Sequence, residues 1–217
     1  ATNHFDHHQP GGAGKRENGI PYAAVGLVWK HFGEKITSKE AAERVEKKLV
    51  MPIDAIDNGV NLSTPVFAGI SDYSIVNAIW ILGEFDENGG NDQAFQVALG
   101  FASRILAGEI KKAELVIEGE RTVEAEIVAQ GEPRILVLPV YYTWGRAVSR
   151  YKKIRWVVFP NRGDSKWCVQ AASDDSGEFG KDRISFPPGW RGLMDGELAE
   201  ESGVEWSLFC HKGGYFA

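Results

Sequence analysis

The chain has 217 residues, and its 24 lysines and arginines against 30 aspartates and glutamates give a formal net charge of −6. This length allows one or two domains with a buried core. Hydrophobic residues make up 43% and charged residues 25%, which excludes a disordered, collagen-like or coiled-coil chain. Two cysteines exclude a disulfide scaffold or a cysteine-rich zinc module, and no apolar run approaches the roughly 20 residues of a membrane span. We expect no membrane contact and a cytoplasmic location.

The first part of the chain is predicted to be mainly helical. The apolar segment from Tyr22 to Phe32 follows a proline and is expected to end at Gly33. Thr37 and Glu40 have the spacing of a capping box for a second helix. Residues 50–60 are expected to form a short buried strand or turn.

One long helix is predicted in the middle of the chain. From Asp92 to about Gln130, apolar residues recur at steps of four and three, on the order of 55 Å of helix at 1.5 Å per residue. The predicted stripe consists of Phe95, Leu99, Ala102, Leu106, Ile110, Ala113 and Ile117. Residues 84–91 before it form a predicted polar turn, and a helix of this length usually connects two lobes.

The last part of the chain has the pattern of strands. Apolar runs of strand length cover residues 135–140, 154–160, 166–172 and 205–211. A hairpin-length turn is predicted at residues 161–164, and a short helix from Asp195 to Ser202.

The first candidate for chemistry is the run Asp6, His7 and His8. A carboxylate and two imidazoles offer hard oxygen and borderline nitrogen ligands, the mixture that suits Mn²⁺, Fe²⁺ or Zn²⁺. The alternative is three polar residues near a frayed terminus.

A second candidate lies about fifty positions later, where Asp54 and Asp57 interrupt an apolar run without a basic neighbour in the sequence. A buried carboxylate needs a partner, and a cation is a natural one. The alternative for Asp57 is a turn with Asn58 and Gly59 in which the carboxylate caps its own backbone.

A third candidate is near the end of the chain. A glycine pair, Gly213 and Gly214, lets backbone amides approach phosphate oxygens, and Arg191, His211 and Lys212 could supply positive charge. The alternative is an ordinary hairpin turn.

A basic run interleaved with aromatic residues extends over residues 141–156. Such a run could follow a single nucleic-acid strand by stacking and phosphate pairing. The alternative is a solvated loop over core aromatic residues.

Three segments together, FDHHQP, AAVGLVWKHFG and IDAIDNGV, resemble the MYG-type proteins of the DHH phosphoesterase superfamily. Later segments agree in the same order: WVVFPNRGDSKWCVQA, GWRGLMDGEL and FCHKGGYF. The resemblance implies an α/β fold with its active site in a cleft between lobes. It implies a truncated DHH-type parallel-sheet lobe over residues 1–90. It also implies a long connecting helix and a second α+β, substrate-binding lobe with a mixed sheet over residues 91–217.

The resemblance also implies roles for individual residues. His7 would be a metal ligand that Asp6 supports through hydrogen bonds, and His8 would face the substrate phosphate. Asp57 would match a metal-binding aspartate, with Asp54 as a supporting or alternative ligand. The complete site would hold two Mn²⁺ ions, or Mg²⁺ or another divalent cation. The implied activity is 3′→5′ exonuclease action on RNA or short oligonucleotides.

The resemblance is incomplete, because members of the family carry further metal-ligand motifs upstream of the position of Ala1. The chain starts without a methionine, and we expect a fragment or processed chain with about half of a two-metal site. Metal binding should then be weak, unless a second copy of the chain or a complementing N-terminal segment supplies the rest. Alternatives are a catalytically silent nucleic-acid-binding or structural fragment, or a small-molecule phosphatase or pyrophosphatase.

Overall fold

The computed structural model describes residues 5–9, 12–84, 91–174 and 182–217. The fold is α/β, as expected, and the chain divides into two compact units, Ala1–Leu115 and Val116–Ala217. This division lies within the long helix, whereas the sequence-based domain boundary at residue 90 lies at its start. The predicted polar turn at residues 84–91 lies largely outside the described residues.

Helices form the first unit. They are α1 (Ala24–Ile36), α2 (Lys39–Val45), α3 (Met51–Asp57), α4 (Ile75–Glu84) and the first part of α5 (Asn91–Ala129), with a π-helical turn (Glu46–Val50) between α2 and α3. Within the described part of this unit there is no strand, only an isolated bridge between Lys15 and Pro21. The parallel sheet implied for this lobe is therefore not found among these residues.

Two predicted helix ends were wrong. Helix α1 continues through Gly33, and it ends before Thr37, whose extended backbone leaves the helix and whose N–H bonds to the Gly33 carbonyl. The Trp29 ring packs where a β-carbon on Gly33 would lie, 2.9 Å from the nearest ring atom, so this glycine serves close packing rather than helix termination. The capping box is also displaced, because Ser38, not Thr37, accepts the hydrogen bond from the Ala41 N–H.

The strand or turn predicted for residues 50–60 was wrong for its first part, which is helix α3. This helix continues directly from the π-helical turn, and the buried side chain of Asp54 ties it to other parts of the unit. Such tertiary contacts override a short apolar pattern that fits helix and strand equally. The turn follows at Asn58 and Gly59, where Gly59 has a φ of 72°.

Helix α5 confirms the long helix predicted from the sequence, with bounds within one residue of those expected. The predicted apolar stripe is correct at Ala113 and Ile117, which are buried. It is wrong at the start of the helix, where Phe95 is 61% exposed and Ala94 is buried instead. Periodicity alone did not show which side of the helix meets its neighbours.

The second unit contains a sheet of three strands, β1 (Ile135–Val137), β2 (Trp156–Pro160) and β3 (Trp167–Ala171). Strand β2 lies in the middle, parallel to β1 and antiparallel to β3, which confirms the mixed sheet. Two helices accompany it, α6 (Gly145–Ser149) and α7 (Asp195–Ser202), with a 3-10 turn at Pro188–Trp190. The core includes Val123, Ile127, Leu136, Leu138, Val148, Ile154 and Val157.

The strand predicted at residues 205–211 was wrong. Only Phe209 takes part in a β-bridge there, with Met194. Trp206 has a φ of 68°, a left-handed conformation that interrupts an extended chain. In the ranges that the structure covers, no helix is sufficiently long and apolar to cross a bilayer.

Candidate metal centre

The structure brings together His7 and Asp57, which are fifty positions apart in the sequence. The Nε2 atom of His7 lies 3.5 Å from Oδ2 of Asp57. His7 precedes the first helix, and Asp57 is the last residue of α3. The His7 side chain is 11% exposed and that of Asp57 is 52% exposed, so one partner is held in the protein while the other is open to solvent.

The geometry of this pair fits a shared divalent cation. Nitrogen and oxygen ligands lie about 2.0–2.2 Å from Zn²⁺ or a similar ion, so two ligands of one ion are roughly 3–3.5 Å apart. The other ring nitrogen, Nδ1 of His7, is buried and has no hydrogen-bond partner in the described part of the chain, so the partner that usually orients a metal-binding imidazole is missing there. Nitrogen and carboxylate oxygen also make up a suitable donor set. His7 and Asp57 can therefore serve as two ligands of one ion.

Asp6 contacts His8 rather than His7, which corrects the expectation that it supports His7. The Oδ1 atom of Asp6 accepts a hydrogen bond from the His8 backbone N–H at 2.9 Å and lies 3.1 Å from Nδ1 of its ring. The backbone contact spans two positions, the spacing typical of an Asx turn. These two bonds, the backbone one first, lower the pKa of the Asp6 carboxyl. Asp6 is thus ionised at neutral pH and holds the exposed imidazole of His8.

The three residues Asp6, His7 and His8 nevertheless form one cluster. Their donor atoms lie within 4.8 Å of one another, and the rings of His7 and His8 have centroids 4.0 Å apart. The residue before them, Phe5, packs on helix α1 through ring contacts of 5.9 Å with His31 and Phe32. The N-terminal segment is therefore seated on α1.

Asp54 has a different environment from Asp57, one turn away on the same helix. It is fully buried, and its two oxygens accept hydrogen bonds from Arg16 at 2.7 Å and from the Gly26 N–H at 2.9 Å. The sequence lacked a basic neighbour, but the fold supplies Arg16 from 38 positions away. This corrects the reasoning that led to a cation at Asp54, and this geometry favours Asp57 as the ligand.

The glycine-rich segment of the second unit forms a tight turn. The Gly214 N–H donates to the His211 carbonyl at 2.7 Å, and the Gly213 N–H donates to Nδ1 of His211 at 3.0 Å. A β-carbon on Gly214 would lie 2.6 Å from Nε of Arg191, and the β-carbon of Lys212 is near Gly192. The structure therefore brings the five predicted residues of this segment together.

The contacts of Arg191 favour a structural role. Its Nε and one terminal nitrogen donate to the carbonyl of Phe186 at 3.1 and 3.0 Å. These donors and the two glycine amides already have protein partners, which agrees with the hairpin alternative. Phosphate binding by this turn stays a prediction.

The basic and aromatic run also has structural partners. Tyr141, Tyr142, Trp144 and Tyr151 belong to or pack against the core of the second unit. Arg150 pairs with Glu124, and Lys152 pairs with Asp174 at 3.1 Å. These contacts favour the alternative of a solvated loop over core aromatic residues.

Sequence reasoning missed Arg16 and Gly26, the two partners of Asp54. Arg16 lies in a glycine-rich polar loop, where nothing in the pattern distinguishes a buried arginine from a solvated one. Gly26 did carry a signal, since a glycine inside an apolar helical segment often marks a close approach of another group.

The fold and this pair define a two-unit α/β protein with a candidate divalent-cation site in its first unit. The whole chain, residues 1–217, matches the sequence model of MYG1_exonuc, described as "Uncharacterised protein family (UPF0160)". The chain belongs to this family, which confirms the resemblance to MYG-type proteins.

Similar proteins occur in animals and bacteria. The "MYG1 protein C27H6.8" of Caenorhabditis elegans is 25% identical over 97% of this chain and 72% of its own length. The "MYG1 protein" of Chlamydia trachomatis is 27% identical over 96% of this chain and 69% of its own. The human "MYG1 exonuclease" is 23% identical over 97% of this chain and 65% of its own. No solved structure matches the chain.

Proposed function

We propose that this chain contributes to a divalent-metal site that hydrolyses phosphodiester bonds as a 3′→5′ exonuclease on RNA or short oligonucleotides. The observation that carries the proposal is the 3.5 Å approach of His7 Nε2 to Asp57 Oδ2. Family membership supports the nuclease class, since human, mouse and rat relatives bear the name "MYG1 exonuclease".

His7 and Asp57 would hold the cation, with Mn²⁺ as the first candidate and Mg²⁺ or another divalent ion as the alternatives. When bound, such ions supply an activated water and neutralise charge on the phosphate. The exposed imidazole of His8, held by Asp6, could donate a hydrogen bond to a phosphate oxygen.

The proposal includes a shared site. His7 and Asp57 supply two ligands, fewer than the four that a closed zinc site uses, and a two-metal site needs more. The remaining ligands would come from a complementing N-terminal segment or a second copy of the chain. We therefore expect weak Mn²⁺ binding by the 217-residue chain itself, with a cytoplasmic location as part of the same proposal.

Single-stranded RNA labelled at its 5′ end tests the activity, with Mn²⁺ in large excess to offset the weak binding expected of the 217-residue chain. With Mn²⁺, a 3′→5′ exonuclease yields a ladder of progressively shorter labelled products, and chelation of the metal stops their formation. His7→Ala should abolish the ladder. The matched control is Glu34→Ala, which removes an exposed side chain from the same helix α1 and should leave the ladder unchanged.

Other results would identify the alternatives. Hydrolysis of pyrophosphate or a small phosphate ester, with RNA left intact, would identify a small-molecule phosphatase. RNA binding without cleavage would identify a silent binding protein. A ladder that persists in His7→Ala would remove this site assignment.

A further inference from the structure

We propose that Arg16 is a positioning residue for the His7–Asp57 pair. The inference rests on the proposed function, because it concerns how the fold holds the two ligands of that site. Arg16 lies outside the metal pair, in the loop between the N-terminal cluster and helix α1. Its side chain is 5% exposed, an unusual burial for a charged group, and each of its contacts joins the elements around the pair.

The first contact of Arg16 is with helix α3, which carries Asp57. Its Nη2 donates to Oδ2 of Asp54 at 2.7 Å, and its Nε donates to Oε1 of Glu46 at 2.8 Å. Burial by itself would lower the pKa of Arg16, but the bonds to Glu46 and Asp54 outweigh it and raise the pKa. Arg16 is therefore charged and fixes both the π-helical turn and α3.

The second contact passes through Asp54 to helix α1. Oδ1 of Asp54 accepts a hydrogen bond from the Gly26 N–H in the first turn of that helix. First-turn amides have no partner within their own helix, and the N-cap residue Ala23 provides none through its side chain. The carboxylate of Asp54 replaces that cap, and its negative charge suits the positive end of the helix.

The third contact is with Tyr22, just before α1. The guanidinium carbon of Arg16 lies 4.0 Å from the centre of the Tyr22 ring. The carbonyl of Tyr22 in turn accepts a bond of 3.4 Å from the side chain of Asn58, the residue after Asp57. The end of α3 is thus tied to the start of α1 on both sides of Asp57.

These contacts link the two ligands. The segment with His7 is seated on α1 through Phe5, and Asp57 is seated on α3. Arg16 and Asp54 join α1 to α3, so they set the distance between His7 Nε2 and Asp57 Oδ2. Groups that hydrogen-bond directly to metal ligands typically change metal affinity by about 10- to 100-fold when they are replaced. Arg16 acts on the two ligands one contact further away, so we expect the lower end of that range.

Paramagnetic broadening by Mn²⁺ tests the inference without an activity assay. In the wild-type chain, titration with Mn²⁺ should broaden the backbone amide NMR signals of His7 and Asp57 at the same concentration. In Arg16→Gln, the Mn²⁺ concentration needed to broaden the Asp57 signal should rise about 10-fold. Arg16→Lys keeps a charge near Asp54, but a lysine cannot contact Asp54 and Glu46 at once as the forked guanidinium does. The Mn²⁺ concentration that broadens the Asp57 signal in Arg16→Lys should therefore lie between the values for wild type and Arg16→Gln.

Arg183→Gln is the matched control. Arg183 is an arginine of the second unit whose side chain is 3% exposed, and it donates to the carbonyls of Tyr151 and Ile154. Replacing Arg183 should lower stability, but the Mn²⁺ concentration needed to broaden the Asp57 signal should stay at its wild-type value. An equal shift in Arg16→Gln and Arg183→Gln would reveal general loosening and overturn the inference.

Arg16→Gln leaves the charge of Asp54 buried without a partner, and it could fail to fold. The double variant Arg16→Gln/Asp54→Asn removes both charges and keeps amide hydrogen bonding. The Mn²⁺ concentration that broadens its Asp57 signal should rise as it does in Arg16→Gln. Wild-type Mn²⁺ response in a folded Arg16 variant overturns the positioning role alone. If Mn²⁺ fails to broaden His7 and Asp57 together in the wild-type chain, the proposed metal pair falls, and the inference falls with it.

Discussion

A β-carbon on Gly26 would lie 1.8 Å from Oδ2 of Asp54, far inside van der Waals contact. The two residues are 28 positions apart, and the carboxylate occupies the space that a side chain on helix α1 would need. Helix α1 therefore approaches α3 closely enough for its backbone N–H to bond the buried carboxylate. Only glycine, which has no β-carbon, allows α1 and the Asp54 carboxylate to come this close at position 26.

Gly26→Ala should consequently lower the free energy of unfolding by about 2–4 kcal/mol, because the methyl group forces Asp54 away from both of its donors. Urea denaturation followed by circular dichroism measures the change. The control is Gly100→Ala in helix α5, where a β-carbon meets no heavy atom within 4 Å. That change should raise stability by about 0.5–1 kcal/mol, since alanine favours helix more than glycine does. Equal effects at the two positions would contradict the close approach.

Asp54 and Asp57 allow a second comparison, between two carboxylates on one helix. Asp54→Ala removes a fully buried partner of Arg16 and should cost about 3–5 kcal/mol of unfolding free energy. Asp57→Ala removes a half-exposed side chain and should stay within about 0.5 kcal/mol of wild type. Thermal melting without and with Mn²⁺ separates the two roles. Asp57→Ala should have the wild-type melting temperature without Mn²⁺, and it should lose the small rise in melting temperature that Mn²⁺ causes in wild type. A severe loss of stability in Asp57→Ala would assign that residue a structural role.

The contrast between Asp54 and Asp57 shows which features of the candidate site could be predicted from the sequence alone. The pattern around residues 53–59 identified both carboxylates as unusual, and the family resemblance favoured Asp57 as the ligand. It could not show that Arg16 neutralises Asp54, because the pair depends on the folding of a polar loop against a helix 38 positions later. Ligand choice between neighbouring carboxylates is thus decided by tertiary burial.

The fold shows the same division between local and tertiary information. Helix α5 and helix α7 followed from periodicity and local signals. Residues 51–57 were assigned wrongly, because a short apolar run suits either helix or strand until its neighbours are known. Residues 205–211 were assigned wrongly, because the left-handed backbone of Trp206 interrupts the alternating pattern of a strand. The exposed ring of Phe95 is a similar case, since a stripe on a long helix has no fixed direction without its packing partners.

The two cysteines should be unreactive thiols in the folded protein. Burial raises the pKa of Cys168, with Asp164 adding to the effect, and burial also raises the pKa of Cys210 against a smaller opposing effect of Arg191. A raised pKa means a smaller thiolate fraction at pH 8.5, and the thiolate is the nucleophile. Alkylation by iodoacetamide should be about tenfold or more slower in the native chain than in urea.

Mass spectrometry of Cys168→Ser and Cys210→Ser would separate the two rates of alkylation. Cys210, which is fully buried, should react more slowly than the partly exposed Cys168. Native alkylation as fast as that in urea would contradict the packed environment of both thiols.

The ion pair of Asp174 with Arg183 should produce a defined acid dependence of stability. The hydrogen bond from Arg183, and a second one from Lys152, lower the pKa of the Asp174 carboxyl below its ordinary value of 3.8. A depressed pKa in the folded state favours the ionised form, so its stabilising effect is complete above about pH 4 and is lost as pH falls through the folded-state pKa. Asp174→Asn should therefore be less stable than wild type at pH 7, and the difference should shrink below pH 4. Glu205→Gln, on an exposed carboxyl in the turn after helix α7, is the control. Denaturant titrations from pH 3 to pH 7 measure both, and a difference at Asp174 that does not change with pH would show that the pair is held by geometry rather than by charge.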